Sequence, residues 1–297
     1  MSDCSRDFAL TLGNGSVLGY HACDEAAAGE LTQIARIAGL RAEKVPAGGP
    51  VISLETLESD EEVKRFASQG KAYLCRHLVL CIHAPSWQVT AAWGKQRTGT
   101  IKSLRWRSLL WRQFFLASFI PLLKERQVVL IHGALLIRNG FAAVVSGPSG
   151  IGKSTLVSRL AGRYECPADD CVLVCRDADG QYWAQEMPTW SIWYAGKGDP
   201  ETTFSGCRSY PLKSMFLLDR GDSDAIYTIE PQQAFLGWNT AVHFMTAATC
   251  DRMPRMLARE IMVSTFDFSK KMSSELPIFG MVAPLDGKIW ELLEKYF

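Results

Sequence analysis

The residues that most constrain this chain are GPSGIGKST, positions 147–155. They fit the phosphate-loop pattern G-x-x-x-x-G-K-[ST], and that pattern works in only one setting. A buried strand must run into the loop and a helix must leave it, so that backbone amides converge on one point. Both flanks are present: FAAVVS (141–146) is a short run with strand character, and STLVSRLAG (154–162) has helical spacing. Gly147, Gly150 and Gly152 permit the tight backbone path. Ser149, Gly150, Ile151 and Gly152 would offer amides to phosphate oxygens, and Thr155 would continue that surface at the helix start. Lys153 would place a cation at the β- and γ-phosphates, and the Ser154 hydroxyl would ligate Mg²⁺. An α/β fold around a nucleoside triphosphate site is the expectation.

The stretch CPADDCVLVC (166–175) follows about one short helix later. Asp169 and Asp170 stand some 15 residues past Lys153, and a strand following the helix can return its start to the phosphate site. Acids placed there can hold Mg²⁺ or accept a proton from an attacking hydroxyl. A metal-thiolate reading competes. Cys166, Cys171 and Cys175 are spaced five and four apart, with no C-x-x-C pair and no histidine near in sequence. Small buried thiols are the better account of them.

The surrounding chain frames this site. Its 297 residues make one large domain or two modest ones, and 47% of them are apolar, enough for a core without staples. A net charge of +1 argues against nucleic acid or an acidic membrane as partner. Nine cysteines, an odd and sparse set, and an opening MSDCSRDFAL without an apolar run suggest a reduced, cytoplasmic protein. The apolar run 108–123 contains Arg112 and Pro121. It falls short of the ~20 residues that a membrane span needs, so a buried helix within 103–125 is expected. DFALTLGNGSVLGY (7–20) reads as two strands around an Asn-Gly turn, 24–43 as helix, 55–69 as helical by its Glu and Lys spacing, and 71–84 as a strand with a bend. After Arg126 comes a strand and then a hairpin turned at Asn139-Gly140. Farther on, strands (214–219, 225–229) alternate with helices (232–249, 286–296). A boundary near 125–127 divides an N-terminal α+β domain, 1–126, from an α/β domain, 127–297.

The run HGALLIRNGFAAVVSGPSGIGKSTLVSRLAGRYECPADDCVLV (132–174) resembles the HPr kinase/phosphorylase superfamily. The shared marks are a His-Gly before a hairpin, the glycine loop, and an Asp-Asp pair one helix later. Within it the chain looks most like the divergent members of peptide-modification clusters, the SynChlorMet cassette proteins of the ScmC kind. MPTWS (187–191) adds to the likeness. The resemblance implies a P-loop, HPr-kinase-like C-terminal domain behind a smaller α+β domain. It implies transfer of the γ-phosphate of ATP, with Mg²⁺, to a Ser or Thr hydroxyl of a peptide or small protein. Carried over by position, Lys153 and Ser154 would hold phosphates and metal, and Asp169 would be the general base. Asp170 would lean toward the metal, and His132 would orient the reacting groups. Departures exist: GKST stands where HPr kinases usually have GKSE, and GWNTA (237–241) only echoes their G-R-N. These point away from HPr itself as acceptor. A small-molecule kinase, a nucleotide-gated peptide-binding module and a homo-oligomer stay open.

Other residues compete for a role. Asp219 ends SMFLLD in the manner of a metal-binding strand end, against a plain turn at DRGDSD. Cys75, His77, Cys81 and His83 alternate, yet on one strand Cys75 and His83 would be about 26 Å apart. His243 lies in a helix. Arg252, Arg255 and Arg259 form a basic stretch that is either a solvated face or a clamp on an acidic peptide. Trp190 and Trp193 are core residues or the wall of a groove.

Overall fold

A computed structural model describes residues 6–44, 49–57, 59, 61–62, 65, 72–75, 78–83, 88–94, 114–125, 127–187, 207–250 and 253–297. Trp190, Trp193, Arg252, His77 and the front of the expected 103–125 helix lie outside them. The fold is mixed α/β, built on two sheets.

The first sheet holds β1 (Asp7–Thr11), β2 (Val17–Ala22), β3 (Val51–Leu57), β4 (Ala72–Cys75), β5 (Leu78–His83) and β6 (Gln88–Gly94), in the order β1-β2-β3-β6-β5-β4. The Asn14-Gly15 turn folds β1 onto β2, with Gly15 at φ 81°. Helix α1 (Glu25–Ala38) then crosses over, so β2 and β3 run parallel. Asp24 caps it: its carboxylate accepts from the Ala27 amide (2.8 Å), the Thr56 amide (2.8 Å) and the Thr56 hydroxyl (2.6 Å). Leu31 and Ile34 bury the inner face of α1. Two expectations change here. Residues 55–57 are strand, because β3 is central, bonded to β2 on one side and β6 on the other. The expected strand of 71–84 is, in its described residues, two antiparallel strands, with Cys75 opposite Leu78 and Ala72 opposite Cys81.

The second sheet comprises β7 (Val128–Ile131), β8 (Gly133–Arg138), β9 (Phe141–Ser146), β10 (Glu165–Ala168), β11 (Val172–Arg176), β12 (Tyr182–Glu186), β13 (Ser209–Asp219), β14 (Ala225–Thr228) and β15 (Ile278–Val282). Its path is β10-β8-β9-β13-β12-β11-β7, with β15 on β13 and β14 on β15. Only β9, β13 and β15 run parallel to one another, so this sheet is more antiparallel than the alternating pattern implied. Ala142–Val145 of β9 and Met215–Leu218 of β13 are continuous apolar runs because both faces are covered there. Ala142, Val144 and Met215 point to one core cluster with Trp238 and Phe268, while Ala143, Val145 and Phe216 point to another with Leu156 and Leu160. The first cover is the pair α4 (Pro231–Cys250) and α5 (Arg255–Glu275). The second is α3 (Lys153–Leu160) with the short α6 (Trp290–Leu293).

Residues 114–118 are helical, a turn follows at Phe119, and α2 (Ile120–Lys124) completes the segment. It lies between the sheets. Tyr20 of β2 stacks on Phe115 and hydrogen-bonds Ser118 (3.0 Å). One cluster of buried residues therefore runs from Tyr20 and Leu31 through Phe114 and Phe119 to Leu130 and Leu173. No helix among the described residues is long and apolar enough to cross a membrane.

Candidate functional site: a glycine loop facing an aspartate pair

β9 and β13 are parallel, and their C-terminal ends set the loop. Gly147 leaves β9 so close to its neighbour that a Cβ there would lie 3.0 Å from the Leu218 carbonyl oxygen. Gly150 (φ 76°) and Gly152 (φ 116°) occupy the left-handed region, where a side chain is strained. Gly152 precedes α3, and no side chain caps that helix. Its first amides are left to the cleft, the arrangement that favours an anion.

Lys153 is buried, 6% exposed, and its Nζ donates to the carbonyls of Gly147 (2.8 Å) and Pro148 (3.2 Å). Burial lowers its pKa from the ordinary lysine value, and the charges of Asp170 and Asp169 oppose that shift. Both acids sit just past β10. That strand pairs antiparallel with β8, Ala168 opposite Leu135, so the pair is delivered from the far side of the β8–β9 hairpin. The acids lie at the joint between β10 and β11, whereas the sequence suggested the start of one returning strand. Asp169 is buried, and its Oδ2 accepts from the Ser154 hydroxyl at 3.1 Å. The Asp170 backbone carbonyl accepts from the Gly133 amide (3.2 Å) and from His132 Nδ1 (3.1 Å), and its carboxylate Oδ1 is 3.2 Å from the same nitrogen.

His132 is fixed on every side. Its amide donates to the Ala241 carbonyl of α4 (3.2 Å), its carbonyl accepts from Ser146 Oγ (2.7 Å), and its ring packs on Phe244 at 4.7 Å. Nε2 is buried without a hydrogen-bond partner among the described residues. The cleft enclosed by His132, Ser149, Lys153, Ser154, Asp169 and Asp170 measures about 290 Å³. Gly150, Gly152 and Thr155 line it too, and Ile151 is at its outer side.

Two cavities adjoin the cleft. One of about 330 Å³ shares His132 and Ser149 with it and continues over Leu217, Ala241 and Phe244. The other, about 490 Å³, shares Gly152 and Thr155 and reaches Arg159, Asp219 and Arg220. Asp219 thus lies on the other side of the loop from the aspartate pair, its Oδ1 bonded to the Arg220 amide (2.7 Å). The thiols of 166–175 enter core and edge. Cys171 and Cys175 are buried and Cys166 half-buried, and burial pushes both Cys166 and Cys175 up to about 12. Among the described residues no three His, Cys, Asp or Glu side chains converge to hold a metal ion. His243 is exposed on α4. Arg255 and Arg259 stand apart from the cleft, in a groove between α4 and α5. Sequence reasoning missed Phe244 and Ser146, which seat His132; the only signal was an apolar residue on the outward side of a helix.

A family model described as SynChlorMet cassette protein ScmC matches residues 105–297, more than half of the chain. The chain belongs to this family. The match spans the glycine loop, the aspartate pair, His132 and the helices α4 and α5 of this ScmC-type chain, and leaves β1–β6 outside. No curated protein matches the chain.

Proposed function

We propose that this chain is an ATP- and Mg²⁺-dependent kinase of the P-loop, HPr-kinase-like kind, phosphorylating a Ser or Thr hydroxyl of a peptide or small protein in the cytoplasm. On this reading residues 127–297 are the kinase domain, and 1–126 an accompanying α+β domain. The carrying observation is the meeting, in one cleft, of a Lys153–Ser154 loop with two acids that have different partners: Ser154 for Asp169 and His132 for Asp170.

The residues present fit the implied ligands. The hydroxyl of Ser154 and the carboxylate of Asp169 are hard oxygen donors of the kind Mg²⁺ takes. The loop amides, the start of α3 and Lys153 suit a triphosphate. Mg-ATP would supply the γ-phosphoryl group and a cation that spreads its developing charge. The geometry favours the reverse of the roles expected from sequence: Asp169, on Ser154, belongs to the metal side, and Asp170, oriented by His132, is the base. The acceptor oxygen forms a bond to the γ-phosphorus as the bond to the β,γ-bridging oxygen breaks. Its proton goes to the Asp170 carboxylate, and ADP leaves. Lys153 neutralises charge on the transferred group, so the chain contributes mostly position and electrostatics. The cavity on the Thr155 side supports a place for the nucleoside, and the apolar one beside His132 a place for the acceptor.

The family description names a cassette, and on this reading the acceptor is a peptide encoded in it. The test is intact-mass analysis of that peptide after incubation with ATP, Mg²⁺ and the protein, wild type beside Lys153→Met. Gain of one phosphate with wild type alone is expected. A peptide unmodified by wild type, under conditions where ATP binds, would overturn the kinase reading.

A further inference from the structure

Helix α4 is 20 residues long and contains no Asp, Glu, Lys or Arg. Its inward stripe, Ala234, Trp238, Val242 and Met245, is core. Its outward side should then be charged, as on any helix that faces water. Instead it shows Leu236 and Phe244, 62% and 55% exposed. Helix α5 continues the surface with Met256, Val263 and Phe266. Five of the seven exposed large hydrophobic side chains among the described residues fall on this helix pair, a concentration that marks an interaction surface.

The charged side chains that line the groove in this surface have one sign. Between α4 and α5 runs a groove of about 480 Å³, with Met262 and Phe266 in its lining and Arg255 and Arg259 exposed within it. The two arginines are four apart, on one side of α5. Neither makes an ion pair among the described residues, whereas the acid of the next position, Glu260, is taken by Lys124 at 3.1 Å. The groove and the cavity beside the cleft share helix α4. His243 lines the groove, and the next residue, Phe244, lines the apolar cavity and packs on His132.

We propose that the α4–α5 groove docks an acidic, apolar segment of the peptide substrate, with its carboxylates on Arg255 and Arg259 and its apolar side chains on the two helices. This inference takes the peptide substrate from the function proposed above, but docking needs no phosphate transfer, so the two fail separately.

The test uses the full chain and two fluorescein-labelled synthetic helical peptides. One presents Leu at i, i+3, i+4 and i+7 with Glu elsewhere, and its twin has Lys for each Glu. Fluorescence anisotropy should show the acidic peptide bound at least about tenfold more tightly. The double variant R255E/R259E should invert that preference, with ATP affinity and Tm unchanged because both side chains are exposed and unpaired. F266A should weaken the acidic peptide while leaving the charge preference. Equal binding of the twins, binding of neither, or an unaltered preference in the double variant would overturn the proposal. So would a dimer in sedimentation velocity that R255E/R259E dissociates, since the face would then belong to a second copy of the chain.

Discussion

Replacing each member of the Asp169–Asp170 pair with asparagine separates affinity from rate. Asparagine keeps the size and one acceptor oxygen and removes the charge. Asp169 is 8% exposed and bonded to Ser154 Oγ at 3.1 Å. On the metal-side role, Asp169→Asn removes a charged partner of the cation, a loss that costs about 10- to 100-fold in metal affinity, and Mg-ATP binding should weaken accordingly. Asp170 faces His132 at 3.2 Å. Loss of a positioned general base costs about 10²- to 10⁴-fold in rate, or about 3–5.5 kcal/mol of barrier. In its proposed role Asp170 bears on nucleotide affinity through the charge it shows Lys153 and not through the metal. ATP binding by Asp170→Asn should therefore fall by less than about tenfold. Calorimetric titration with Mg-ATP and single-turnover transfer to the proposed peptide acceptor measure the two quantities. The opposite split, with Asp170→Asn losing affinity and Asp169→Asn losing only rate, would refute the assignment of roles. Two variants with wild-type affinity and rate would remove the chemistry from this cleft altogether.

Three further outcomes concern stability. Asp24→Ala removes the cap of α1 and the acceptor of both Thr56 bonds. It should cost about 2–3 kcal/mol in denaturant unfolding at neutral pH. Burial raises the Asp24 pKa, yet the bonds from Thr56 and Ala27 outweigh it and hold the carboxyl below its ordinary range. That stability is present above about pH 4 and is lost as pH falls through the lower folded pKa, so the gap between wild type and variant should close in acid. Trp238 is fully buried with its indole N–H unpartnered among the described residues. Trp238→Ala should cost about 3–5 kcal/mol, whereas Trp238→Phe should cost less than about 1.5 kcal/mol, because removing an orphan donor offsets part of the lost volume. A chain cut to 127–297 leaves Val128, Leu130, Leu173 and Cys175 without the partners of their cluster. It should sediment as aggregate, and a monomeric, cooperatively melting fragment would show that the second sheet stands alone.

The parts of the fold written in local chemistry were legible. Asn139 (φ 52°) and Gly140 (φ 79°) make the turn that the dipeptide announces. The glycine loop, its strand and its helix lie where the pattern requires. What depended on distant partners was hidden. The Glu and Lys spacing of 55–69 suggested a helix, but 55–57 belong to β3, which is held by parallel neighbours on both sides. Helix α5, 21 residues long, was visible only as a basic stretch, since its Ser, Lys and Arg content masks a thin buried stripe of Ile261, Phe268 and Met272. Asp219 could be read as a metal-side acid or as a plain strand end. It lines the cavity of Arg159 and Arg220, while Ser154 lines the cleft of Asp169 and Asp170, a distinction that spacing does not encode.

The same contrast explains why the cleft depends on so much of the chain. The loop is local, but His132 is held by Ala241 and Phe244 from a helix about a hundred residues later, and the acids arrive on β10 only because that strand pairs with β8. α4 in turn rests on β7, whose Val128 and Leu130 are packed by Phe114, Phe119 and Tyr20. Ser16 reaches Gln127 at 3.1 Å, and a Cβ on Gly13 would strike Trp183. The N-terminal sheet is thus structural support for the wall that carries His132. Packed contacts run from the Tyr20–Ser118 pair through β7 and α4 to His132, a route that bypasses the glycine loop.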